Sequence, residues 1–144
     1  MKTIGLILLA ALLAGCAAPR LYFEHPLYTF GGTLASEDYY GPPNYAESPA
    51  TDSRETAFIL ALDKPISVRP HAGDDLNTAT LANVERVQLV GVLRGALASS
   101  VGHRITVRGS LSQATSAHHR TEVVLTAESI TSETGEAIPF RLED

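Results

Sequence analysis

The sequence predicts a mostly-β protein: a small barrel of five or six strands with one short helix, behind an N-terminal signal segment. Three observations carry this expectation. Apolar residues recur with period two over most of the chain, the spacing that turns one face of a strand inward. Clusters of Gly, Pro, Asn and Asp interrupt that pattern at short intervals. The stretch 94–101 alone keeps helical spacing.

The opening Met1-Lys2-Thr3 leads into an apolar run, 4–13, and then Ala14-Gly15-Cys16. A charged start before about ten apolar residues is the pattern of an export signal. The run is too short to span a bilayer, which takes roughly 20 residues to cross about 30 Å of hydrocarbon. Leu13-Ala14-Gly15-Cys16 resembles the lipobox of bacterial lipoproteins, in which a diacylglycerol is joined to the cysteine thiol before cleavage. Cys16 is the chain's one cysteine, and it falls where that chemistry needs it. The expected organisation is a signal peptide at 1–15, a lipidated tether at 16–26 and one domain at 27–144. Two or more acyl chains give stable anchoring where one does not. By the same resemblance, Ala17 after the cysteine favours the outer membrane, with the domain facing the periplasm.

Beyond the tether, Tyr28, Phe30, Gly32 and Leu34 alternate with Thr29, Gly31 and Thr33, a half-buried strand. The stretch 38–54 holds Gly41-Pro42-Pro43-Asn44-Tyr45 and reads as turns. Residues 56–62 are apolar on both faces, as in a covered central strand. Asp63-Lys64-Pro65 is expected to break it, since proline donates no ladder hydrogen bond. A polar loop at 71–82 precedes a strand at 84–93, in which Gly91 marks a bend. Ala96, Leu97 and Val101 then share a helical face over 94–101, with Gly102 as its cap. Ile105, Val107, Gly109 and Leu111 alternate cleanly with polar neighbours. Further strands are expected at 121–130 and, after a turn at 132–136, at 138–142. Five or six strands with one helix between the third and fourth is the plan of an oligonucleotide/oligosaccharide-binding (OB) barrel; a sandwich is the competitor. Closure removes the exposed edges that an open sheet would leave.

Composition excludes several functions. The formal net charge is −5 and Lys64 is the one lysine outside the signal. A nucleic-acid binder needs a positive stripe to displace counterions from phosphates, and none is present. No serine stands in G-x-S-x-G, no phosphate loop occurs, and Cys16 is committed to lipid. The chain carries no enzyme signature and implies no cofactor.

Several segments together resemble a bacterial family known as a domain of unknown function, number 4431. They are Phe30-Gly31-Gly32-Thr33-Leu34, Gly41-Pro42-Pro43-Asn44-Tyr45, the run 60–68, Val87-Gln88-Leu89-Val90, the run 101–111 and the run 115–125. They fall in the family's order over roughly 28–130. The resemblance implies an exported or lipid-anchored small β domain without established activity, so it transfers no catalytic residue. Ser67 stands where family members often have cysteine, and the histidine run ending at Arg120 is shorter than usual.

Two features are candidate sites. His118 and His119, with His103 across a hairpin, offer three imidazoles of a kind that suits zinc or copper. Consecutive residues on a strand point apart, so the pair converges only in a loop, and Arg120 adds a repelling charge. The alternative is that these histidines cap a hairpin by bonding its backbone. Tyr39, Tyr40 and Tyr45 surround a stiff turn, and such tyrosines give contact area at low entropic cost. The other reading is a plug that closes one end of the barrel with the tyrosines packed inward. The expected function is a non-enzymatic envelope module that binds a protein or glycan, held to the membrane through Cys16; a metal-binding protein is the alternative.

Overall fold

The computed structural model describes residues 19–93 and 95–141. Six strands form one sheet: β1 (Arg20–Tyr22), β2 (Tyr28–Tyr40), β3 (Arg54–Arg69), β4 (Leu81–Val90), β5 (Arg104–Gln113) and β6 (Val123–Ser132). Their order is β1-β3-β2-β5-β6-β4, and β4 pairs back onto β3 to close a five-stranded barrel. β2, β3 and β4 form an antiparallel meander, β5 returns antiparallel to β2, and β6 lies parallel to β4. This is the Greek-key order of the OB barrel, with β1 added outside as a parallel strap on β3.

Alternation builds the core. Leu34, Phe58, Leu60, Val87, Leu89, Ile105, Val107, Leu111, Val123 and Leu125 point inward and are nearly or wholly buried. Burying a side chain of this size contributes roughly 1.5–3 kcal/mol each. Two glycines let the sheet coil tightly enough to close. At Gly32 a Cβ would meet the carbonyl oxygen of Ala61 at 2.3 Å, and at Gly109 that of Thr126 at 2.1 Å. Gly32 pairs with both Leu62 and Ile105, so it sits where β2 passes between two partners.

Four expectations are corrected. The tether expected to reach residue 26 joins the fold from Arg20: β1 pairs with Ser67, Val68 and Arg69, and Phe23 is wholly buried. Strand β3 runs on through Pro65, because the β3–β4 register shifts between Ala61 and Ile66 and leaves proline in a bulge. The short helix is a chain of i→i+3 turns ending in a 3-10 turn, Ala98–Ser100. Gly95 at φ +81° stops an α-helix there; Leu97, wholly buried, still closes that end of the barrel. The last strand is reduced to one bridge, Thr131 to Ala137, since the barrel is already closed and Pro139 lacks an N–H. Phe140 nonetheless packs into the core. Arg94 and Leu142 of the expected elements, and Cys16 with its signal, lie outside the described residues.

Candidate functional site

The loops β2–β3 (41–53) and β5–β6 (114–122) meet on the outer side of the barrel, and the candidate residues gather where they touch. In OB barrels these same two loops, between the first and second and the fourth and fifth barrel strands, border the ligand face.

Asp52 shapes the first loop. Its carboxylate accepts hydrogen bonds from the backbone N–H of Asn44 (2.8 Å), Ala46 (2.8 Å) and Ser48 (3.3 Å), and from Asn44 Nδ2 (3.1 Å). Desolvation pushes the carboxyl up, but these donors outweigh it and hold it below its ordinary range. They also hold Tyr45 and Ala46 at positive φ, 50° and 83°. Gly41 leaves room at the base of the loop, for a Cβ there would meet the Glu55 carboxylate at 2.6 Å.

Gln88 fixes the second loop. It is buried in β4, facing outward, and donates from Nε2 to the His118 carbonyl (3.2 Å). Its Oε1 accepts from Arg120 N (2.6 Å), and its own N–H donates to Thr121 Oγ1 (2.8 Å). The neighbouring outward residues in register, Ile59 on β3 and Val124 on β6, are buried as well. The loop therefore lies over part of the barrel's outer face.

His118 and His119 diverge as adjacent residues should. The His119 ring turns into its own loop, and Nδ1 accepts from the N–H of Thr115 (3.0 Å) and Ser116 (3.3 Å). This is the hairpin-capping arrangement. Burial first, then the positive charge of its neighbours, lowers the His119 pKa below the ordinary value. His118 faces out, with Nδ1 2.8 Å from Glu55 Oε2 and its ring edge-on to Tyr45 at 5.8 Å. Hydrogen bonds from His118 and then Tyr39 hold the Glu55 carboxyl down. The Tyr39 hydroxyl reaches the His118 carbonyl at 3.3 Å, and the Arg120 guanidinium stacks on its ring at 3.8 Å. Burial, reinforced by Glu55, raises the Tyr39 phenol to about 12. Arg54 covers Tyr40 likewise at 4.4 Å. Tyr39 and Tyr40 are half-buried and Tyr45 is 39 % exposed, so the tyrosines form a rim and not an internal plug.

His103 does not join them. It precedes β5, beside Leu34, in a shallow cavity of about 310 Å³ with Ser99, Ser132, Glu133 and Thr134. The ten residues of β5 separate it from the loop carrying His118 and His119. Among the described residues no three His, Cys, Asp or Glu side chains are grouped to hold a metal ion. The trio expected from sequence is thus divided between two places. What sequence reasoning missed is Glu55, Gln88, Arg54 and Asp52, and the second role of Arg120, whose charge opposes protonation of His119 as expected but whose guanidinium also stacks on Tyr39. A glutamine inside the apolar run Val87-Gln88-Leu89-Val90 was the available signal.

Residues 86–131 match the sequence model of a family described as "Domain of unknown function (DUF4431)". The resemblance is borne out over that segment, which runs from within β4 to within β6 and includes Gln88, His118, His119 and Arg120. Neither a curated protein nor a solved structure matches the chain.

Proposed function

We propose that this protein is a lipid-anchored module of the bacterial cell envelope that binds another protein, without catalysis, through the rim where the β2–β3 and β5–β6 loops meet. The supporting observation is the cluster of Tyr39, Tyr45, Glu55, His118 and Arg120, braced from beneath by Asp52 and Gln88. Tyrosine and arginine are enriched at interfaces, and a rim ordered before contact loses little entropy on binding. A polypeptide suits it better than a glycan. Sugars stack on open aromatic faces, whereas guanidinium groups already cover one face each of Tyr39 and Tyr40. Lipid attachment at Cys16, by the lipobox, places the module at a membrane surface, and Ala17 favours the outer membrane. A Tyr45→Ala, Arg120→Ala double variant tests the rim. It is expected to fold normally and to lose its crosslinked partner in intact envelopes, and an undiminished crosslink refutes the assignment.

A further inference from the structure

The tether enters the fold at a defined place. β1 is hydrogen-bonded in parallel to β3, which fixes Arg20 opposite Ser67. Two residues, Ala17 and Ala18, separate Pro19 from Cys16, at most about 11 Å of extended chain from one Cα to the other. The surface around Pro19 therefore cannot move far from whatever holds Cys16. That surface is an apolar mouth of about 330 Å³ at one end of the barrel, lined by Pro19, Leu21, Tyr28, Phe30, Leu62 and Ile66. Lys64 and Asp63 also line it and exposed Arg20 follows Pro19 in the chain; the Asp63 carboxylate is tied by Arg104 at 2.6 Å.

We propose that this mouth is a bilayer-docking surface, on which the barrel rests with Arg20 and Lys64 among anionic headgroups. The inference rests on lipid attachment at Cys16 and adds an orientation to it. Cations near a membrane surface are attracted by anionic lipid, and here the short tether holds them within reach. The binding rim then faces away from the membrane. Tyr28 opens on the mouth and Tyr39 on the rim, at the two ends of a strand of 13 residues, a path of about 40 Å.

The test uses the full lipidated chain in vesicles of phosphatidylethanolamine and phosphatidylglycerol that carry a doxyl-lipid quencher. Because Cys16 is blocked by its lipid, Thr29→Cys, at an exposed position on the mouth that leaves both cations in place, and Tyr45→Cys each supply one free thiol for a fluorophore. The probe at position 29 is expected to lose most of its emission and the probe at position 45 to keep it. A lipidated protein quenched at position 45, or at neither position, overturns the docking surface alone. Mass spectrometry separates the other failure: a chain without the diacylglycerol mass removes the anchor, and the docking surface with it.

Discussion

Gln88 bears more of the site than any residue that reaches the surface. Its amide bonds the His118 carbonyl and the Arg120 N–H together, so truncation strips the part-buried Arg120 N–H of its acceptor and leaves the His118 carbonyl only the Tyr39 hydroxyl at 3.3 Å. Gln88→Ala is expected to destabilise the fold by about 1–3 kcal/mol in urea unfolding and to loosen the β5–β6 loop. His119 sets a pH dependence. Its folded pKa is depressed, so the unfolded chain binds the proton more readily, and stability rises with pH in that window. The contribution is complete above about 6.5 and is lost as pH falls through the folded value. His119→Ala flattens that part of a stability-against-pH curve; an unchanged curve contradicts the cap. Tyr39 works in the opposite direction. Its phenol titrates near 12 against about 10 in the unfolded chain. It therefore stabilises below about 10, and that share is lost as pH rises toward 12. Ultraviolet titration is expected to show a late tyrosinate step that is absent from Tyr39→Phe.

At the level of elements, barrel closure depends on tight backbone approaches that only glycine permits. Gly109→Ala sets a Cβ against a carbonyl oxygen that cannot turn aside, and Gly32→Ala does the same. Each is expected to cost about 1–3 kcal/mol or more by overpacking, read as a lowered Tm, whereas Gly73→Ala meets nothing within 4 Å and disturbs only its own turn. Strands β2, β5 and β6 were legible because period-two burial writes itself into sequence. The strap β1 was not, since three residues are too few to show a period and its anchor is Phe23, reached from afar. The helical spacing around Leu97 reported real burial but the wrong geometry, because one inward leucine serves a 3-10 turn as well as an α-helix. Proline misled in β3 for a related reason: a bulge absorbs the missing donor, and a bulge depends on the partner strand's register, which no local pattern carries.

Across the whole molecule, the barrel separates two ends of the β2–β3 hairpin, the tether at one and the loop rim at the other. The tyrosines and the histidine pair were each visible in sequence as oddities, 79 residues apart for Tyr39 and His118, but their meeting was not. That convergence follows from chain topology, in which the first and last barrel loops fold over the same face. It also explains why the expected histidine trio fails: His103 belongs to the opposite end of β5. The central claim is that the rim is where a partner protein binds. Its most direct measurement is photocrosslinking in intact cells, with a photoreactive phenylalanine analogue at position 45 and, as control, at the exposed position 128 of β6. The account predicts one discrete protein adduct from position 45 that disappears with Arg120→Ala, and none from position 128. No adduct from position 45, or the same adduct from both positions, would contradict it.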